Sequence, residues 1–255
     1  AFARAARALR TGRNENIALI VPDLTNPFMP PIAHAVQKEA AKRGYCVFIG
    51  NADEDPSHEE DLLSRFSDQV AGAVLVSPRS EGDVIAGLAR DIPMVLINRD
   101  IPGVPRVLID SGRGMAMAVA QLAQLGHRKI AYISGPPQSW ANEQRLQAVV
   151  QAAAAHDVAC VEVGAGTASF SAGVAVISDL LATDATAFIA FDDVLAQGSW
   201  FGRSDHGLGV PRDYSLVGCD DILGFPLLST VSGPSVRAGQ LAAELLIESL
   251  SSGPA

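Results

Sequence analysis

Cysteine is scarce in this chain: 255 residues hold three, Cys46, Cys160 and Cys219, with neither CxxC spacing nor an even count. A disulfide framework and a cysteine-based zinc site are thereby excluded. Each thiol lies in or beside an apolar strand-like segment and is expected to be a small core residue. Long apolar runs are missing too. Hydrophobic residues make up 48% of the chain, yet no run approaches the roughly 18 residues of a membrane span. The N-terminus also lacks the apolar core of a signal peptide. The expectation is a cytoplasmic, globular protein with no membrane contact.

Reaction centres are equally hard to find. His34, His58, His127, His156 and His206 lie far apart without HExxH or another ligand pairing, so surface or capping roles are expected of them and no metal site. No G-x-S-x-G elbow exists for a serine nucleophile. Gly164-Ala-Gly166-Thr-Ala-Ser169 resembles a dinucleotide loop but has Ser169 where the third glycine belongs, and no acidic ribose partner follows at the right distance. Asp53, Asp55, Ser57 and Glu59 mimic the opening of a calcium loop, with Pro56 and His58 where glycine is needed and Ser64 in place of glutamate. The chain is expected to bind without catalysing, and without a cofactor.

What is present begins with an uneven charge. The formal net charge is -9, but Arg4, Arg7, Arg10 and Arg13 stand in the first 13 residues with no acid among them, leaving the remainder with 15 basic against 28 acidic residues. Arginines three apart among alanines fall along one side of a helix, which suits a short basic helix lying on phosphates. A solvated terminus accounts for the same charges equally well.

The segment Asn16-Ile-Ala-Leu-Ile-Val-Pro-Asp-Leu-Thr-Asn-Pro-Phe28 runs unbroken apolar residues into a polar turn and a helix. Its continuity predicts a strand covered on both faces of a parallel sheet. Pro30 and Pro31 suit a helix's first turn, and the helix stops at Gly44; a strand follows at 45–49. Ser57 then caps a helix carrying Leu62, Leu63 and Phe66, and a strand spans 73–76. A helix at 83–90 and strands at 93–97 and 107–109 complete a first half. The pattern restarts at Asp110, with Ser111 capping a helix that Gly126 ends. Strands at 129–133, 158–163, 187–191 and 215–219 then alternate with helices at 145–155 and 172–181. A final helix at 235–250 carries Val236, Leu241, Ala242, Leu245, Leu246 and Ser249.

Two doubly wound α/β lobes with parallel sheets follow, and ligands of such sheets gather beyond the strands' C-terminal ends. Polar and aromatic residues recur there: Asn26 and Phe28, Asn98 and Arg99, Ser139, Trp140 and Asn142, Phe170, Asp192 and Asp193, Asp220 and Asp221. Carboxylates and amides pair with vicinal hydroxyls, and an aromatic face covers a sugar ring. Helix capping and turn formation account for either Asp-Asp pair taken alone. Their joint placement at strand ends favours a site.

Five segments, in order, resemble the effector-binding core of the lactose-repressor family of transcriptional regulators. They are Ala6-Arg-Ala-Leu-Arg-Thr-Gly-Arg13, Ile20-Val-Pro-Asp-Leu-Thr-Asn-Pro-Phe28, Asn51-Ala-Asp-Glu-Asp-Pro56, Leu125-Gly-His-Arg-Lys-Ile-Ala-Tyr-Ile-Ser-Gly-Pro136 and Val217-Gly-Cys-Asp-Asp-Ile222. The resemblance implies a two-lobed, periplasmic-binding-protein-like fold of type I. Residues 1–13 would be a hinge-helix remnant, 14–109 with 234–255 the N-terminal lobe, and 110–233 the C-terminal lobe. It implies a homodimer that binds operator DNA through a headpiece preceding residue 1, with Leu9 and the neighbouring Arg7 at the minor groove. Effector contacts fall by motif on Asn26, Phe28, Asn98, Trp140, Asn142, Phe170, Asp192 and Asp220.

Departures from the family's pattern are informative. Glu143 stands where many members carry a ligand-binding arginine, which leans the effector toward a neutral sugar or polyol, with Trp140 as stacking platform. Asp192-Asp193 replaces Asn-Asp, Gly233-Pro234 replaces Gln-Pro, and the closing strands after the last helix are not found. A periplasmic-type sugar-binding protein of a transport system shares the implied fold and is the runner-up, with a Rossmann-type enzyme and a regulator reading a protein corepressor behind it.

Overall fold

The computed structural model describes residues 14–222 and 228–252; the basic segment with Arg7 and Leu9 lies outside them. β1 (Asn16–Val21) leads to α1 (Met29–Lys42), β2 (Cys46–Asn51), α2 (Pro56–Phe66), β3 (Ala73–Val76), α3 (Gly82–Leu88), β4 (Met94–Ile97) and β5 (Arg106–Val107). A second series runs α4 (Gly112–Gln124), β6 (Lys129–Ser134), α5 (Trp140–Ala155), β7 (Ala159–Gly164), α6 (Phe170–Ala175), α7 (Ile177–Leu181) and β8 (Ala187–Ala190). It continues through α8 (Asp193–Gly202), a 3-10 turn (Arg203–His206), β9 (Ser215–Cys219) and β10 (Ser229–Val231) to α9 (Ser235–Ser252).

The described residues divide into two compact units, 14–109 with 234–252 and 110–222 with 228–233. Each is a five-stranded sheet, ordered β2-β1-β3-β4-β5 in the first and β7-β6-β8-β9-β10 in the second. All pairings are parallel. In both, the second strand made lies outside the first and the third on its other side. Chain direction therefore reverses across the sheet between β1 and β3, and between β6 and β8, which are the points where such sheets leave a crevice at the C-terminal ends.

Burial explains why the central strands are continuous apolar runs. Ile17, Ala18, Leu19 and Val21 are 0% exposed in the first unit, as are Ile130 to Ile133 and Ala187 to Ala190 in the second. Each buried Ile, Leu or Val adds about 1.5–3 kcal/mol over its exposed state. The edge strand β2 behaves differently, and Cys46 on it is exposed. The expectation of a core thiol therefore fails there; Cys160 is intermediate and only Cys219 is buried.

Several helix details correct the sequence expectations. Asp55, not Ser57, caps α2: its Oδ1 accepts the Ser57 N–H at 2.8 Å, because Pro56 fills the first helical position without a donor. Ser111 makes no capping bond at α4, and Asp110 Oδ1 instead accepts the Gly112 N–H at 3.1 Å. The helix expected over 172–181 is two, parted by a turn at Val176. α8 was not foreseen. It carries Gly198, on which a Cβ would lie 2.2 Å from Phe170 O and 2.8 Å from Gly173 Cα, so small residues there reflect backbone contact with α6. On α9, Val236 and Leu245 are 49% and 39% exposed, while Ala238, Ala242, Ala243, Leu246 and Ile247 face the core.

Candidate functional site

In the first unit the turn after β1 is tied by its own side chains. Asp23 Oδ1 accepts the Thr25 N–H at 2.8 Å and Asn26 Oδ1 accepts the Phe28 N–H at 3.0 Å. Asn51, from the end of β2, accepts the Leu24 N–H at 2.8 Å. Asn26 thus holds the turn that starts α1, and Phe28 is 6% exposed beneath it. Asn98 lies beyond β4, two strands away from that turn across the sheet. It is 3% exposed, and its Oδ1 accepts the Ile109 N–H at 3.0 Å.

Between them, beyond β3, stands a polar cluster the sequence did not announce. Buried Glu59 accepts the N–H of Arg79 at 3.0 Å and of Ser80 at 3.2 Å. The Arg79 guanidinium, with its side chain 4% exposed, makes a two-pronged pair with Glu54 and donates to Ser77 O. Arg99 donates to Ser80 O at 3.2 Å. Backbone strain gathers at the same ends: φ is 52° at Asp53, 60° at Glu54, 44° at Ser77 and 55° at Asn98. Such left-handed non-glycine residues concentrate where function demands a fixed geometry.

The second unit centres on Arg145. Asn142, Arg145, Val149 and Ala152 repeat at helical spacing, which turns one face of α5 inward. Arg145 is 3% exposed; its Nε donates to Ser111 Oγ at 3.1 Å, Nη1 to Phe191 O, and Nη2 to Asp220 Oδ1 at 2.7 Å. The guanidinium also lies 4.8 Å from the Phe191 ring centroid. Burial works against its charge, but the Asp220 carboxylate more than offsets that and holds the pKa above its ordinary value. Asp220 and Asp221 have φ of 102° and 54°.

Around this pair the expected residues divide. Asn142 Oδ1 accepts from Tyr132 Oη at 3.1 Å and from the Gly135 N–H at 3.0 Å, which fixes the turn after β6. Asp192 is 1% exposed and caps α8 through the Leu195 N–H at 2.8 Å. It directly follows Phe191, whose carbonyl Arg145 holds, and Asn142 stands one helical turn before Arg145, which pairs with Asp220. Trp140 begins α5 and is half-buried. Phe170 stands apart from this network: it is 45% exposed, and its ring meets Phe201 of α8 at 5.6 Å between centroids.

Asp193 is not a ligand group in waiting but a tie. Its Oδ1 accepts from Thr230 Oγ1 at 2.7 Å and its Oδ2 from the Ile222 N–H at 3.0 Å, joining α8 to the β9–β10 connection. Burial pushes its carboxyl up to about 6, against the pull of those hydrogen bonds. Arg145 is the residue of this unit that sequence reasoning passed over, while Asp193, singled out beside Asp192, serves instead to tie α8 to the sheet. The available signal was spacing, since Arg145 follows Asn142 by three residues and shares its helix face. Glu143, by contrast, is exposed.

A cavity of about 670 Å³ in the second unit lies elsewhere, lined by Gly114, Met117 and Leu122 of α4 and by Val217 and Val231 of the sheet edge. None of the strand-end residues above and no charged side chain lines it. Among the described residues no group of three or more His, Cys, Asp or Glu could hold a metal ion, and no helix is long and apolar enough to cross a membrane.

The fold has known relatives. Residues 119–255 match the periplasmic binding protein-like domain. The chain is 32% identical over 254 residues to the HTH-type transcriptional regulator GalR of Salmonella typhimurium (strain SL1344), covering 95% of this chain and 74% of that protein. It is 30% identical over 255 residues to the ribose operon repressor of Bacillus subtilis (strain 168), covering 95% and 76%. The crystal structure of a LacI family transcriptional regulator from Enterococcus faecalis V583 with bound ribose superposes with a TM-score of 0.81 at 28% identity, covering 92% of this chain and 90% of that one.

The chain belongs to the lactose-repressor (LacI) family. Its two parallel α/β sheets are the periplasmic-binding-protein-like fold of LacI-family regulators. The relatives named above are transcriptional regulators rather than enzymes or transport proteins.

Proposed function

We propose that this chain is the effector-sensing core of a cytoplasmic, homodimeric DNA-binding regulator, and that it binds an uncharged sugar or polyol without transforming it. Asn26, Phe28 and Asn98 of the first unit and Trp140, Asn142, Phe170, Asp192 and Asp220 of the second supply the contacts. The effector closes the two units on itself, and closure changes the affinity of a DNA-binding headpiece for its operator. A ligand shifts such an equilibrium only by its differential affinity for the two states, typically about 1–3 kcal/mol.

One observation carries the choice of an uncharged effector. The buried arginines at the strand ends are already neutralised, Arg145 by Asp220 and Arg79 by Glu54, and Asp192 adds a further carboxylate. An anion brought to Arg145 or Arg79 meets carboxylates before it meets a free guanidinium, whereas sugar hydroxyls donate readily to Asp and accept from Asn. Aromatic residues at Phe28, Trp140 and Phe170 suit the apolar faces of a sugar ring. The regulator names of relatives spanning 95% of the chain favour this reading over a transport-system binding protein.

The test is a thermal-shift panel of neutral monosaccharides, disaccharides and polyols beside the corresponding sugar phosphates and sugar acids. Stabilisation by a neutral member is expected. A response confined to phosphorylated or carboxylated members would overturn the proposal.

A further inference from the structure

The chain leaves the first unit at Ile109 and begins the second at Asp110. Three consecutive residues at this passage are each fixed by a side chain. The Ile109 N–H donates to Asn98 Oδ1 at 3.0 Å, while the Asn98 N–H donates to Val107 O at 3.0 Å, so Asn98 grips the departing chain through both side chain and backbone. Asp110 turns the chain into α4 by accepting the Gly112 N–H at 3.1 Å. Ser111, 8% exposed, gives its hydroxyl not to the helix it begins but to Arg145 Nε at 3.1 Å.

One grip comes from a group proposed to read the effector, and the other is itself held by such a group. Asn98 is the first, and Arg145, held on Asp220, is the second. We propose that residues 109–111 are a gripped hinge, with Asn98 holding it from the first unit and Arg145 from the second, and with Ser111 as the positioning residue that ties the hinge to the Arg145–Asp220 pair. The proposal rests on the effector reading above for its ligand and on these hydrogen bonds for its mechanics.

The chemistry of the grips supplies the coupling. The Asn98 carboxamide accepts from the hinge through Oδ1, leaving Nδ2 to donate to a ligand oxygen. Both atoms belong to one conjugated amide, so an acceptor on Nδ2 polarises it and strengthens the bond to Ile109. On the other side, a ligand hydroxyl donating to Asp220 changes the charge that Arg145 sees, and Arg145 is the group holding Ser111. Occupancy is thereby felt at 109–111 without passing through the cores of the sheets.

The test needs no effector. Spin labels are placed on exposed Lys38→Cys of α1 and Gln151→Cys of α5 in a Cys46→Ser, Cys160→Ser background, diluted with unlabelled chain, and the label-to-label distance distribution is measured by pulsed electron resonance. Ser111→Ala is expected to widen that distribution at least twofold. It should also speed hydrogen exchange in a peptide spanning 109–112 about tenfold, with exchange in β6 and β8 unchanged. Ser111→Thr, which keeps the hydroxyl, should restore both. Unchanged width in Ser111→Ala would overturn the proposal, as would a Ser111→Thr variant as loose as Ser111→Ala, since the hydroxyl would then be irrelevant. Loss of exchange protection throughout β6 and β8 in Ser111→Ala would assign Ser111 to the fold and overturn it too. A sugar panel without hits would sink the effector reading and leave the hinge measurement intact.

Discussion

Arg145 and Asp220 face each other at 2.7 Å with side chains 3% and 8% exposed, so this ion pair between α5 and the end of β9 is almost wholly withdrawn from water. A pair in that setting adds little net stability compared with a matched apolar pair, yet removing one partner strands the other charge. Asp220→Ala is expected to destabilise the chain by about 3–5 kcal/mol. Replacing both residues with apolar ones of similar size should recover most of that loss. Urea denaturation of the single and double variants measures both, and a double variant as unstable as the sum of its singles would contradict the account.

Asp193 makes stability depend on pH in a direction unusual for a carboxylate. Its folded value of about 6 lies above the ordinary 3.8, so between these values the folded chain holds a proton the unfolded chain has lost. Stability contributed by this group is therefore full below pH 3.8 and is lost as pH rises through about 6. The whole effect is of order 3 kcal/mol. Asp193→Asn should flatten that part of the profile of urea midpoint against pH.

His127 acts in the opposite sense. Its ring spans Thr186 Oγ1 at 2.7 Å and Ser215 Oγ at 2.9 Å, and burial lowers its pKa below 6.5. The unfolded chain then takes up a proton first as pH falls. The stability from neutral His127 is complete above 6.5 and is lost as pH drops through that value toward the lower folded one. His127→Gln should remove this acid-side decline, and an unaltered pH profile of the melting temperature would show that the imidazole does not report it.

Two glycine substitutions should differ in sign. A methyl on Gly198 would meet Phe170 O at 2.2 Å, and overpacking against backbone typically costs about 1–3 kcal/mol or more. Gly87 in α3 has nothing within 4 Å of the added carbon and an ordinary helical conformation. Gly87→Ala should stabilise by about 0.4–1 kcal/mol. Thermal melts of Gly198→Ala and Gly87→Ala decide both.

The parallel sheets were legible because buried strands leave a periodic, local trace: 17–21 and 130–133 are apolar without interruption because both faces are covered. The polar residues beyond strand ends were legible by position alone. What each one does was not, because its partner lies far along the chain. Arg145 meets Asp220 across 75 residues, and Arg79 meets Glu54 across 25. α8 escaped notice for a different reason. Gly198 and Gly202 look like helix breakers until the backbone they touch is known. The same blindness made Ser111 look like a cap, since no local pattern reveals a guanidinium from another helix.

α9 belongs to the first unit although it follows the whole of the second in the chain. Gly239 lies so close to α1 that a Cβ would sit 2.7 Å from Ile32 O, and Leu246 covers Gly72 at the start of β3. On the ribosome, then, residues 110–233 of the second unit have all been made while the first unit still waits for α9. Until that helix has emerged, Gly72 and the face of α1 around Ile32 and Ala35 stay uncovered, a natural target for chaperones and for pairing with the wrong neighbour.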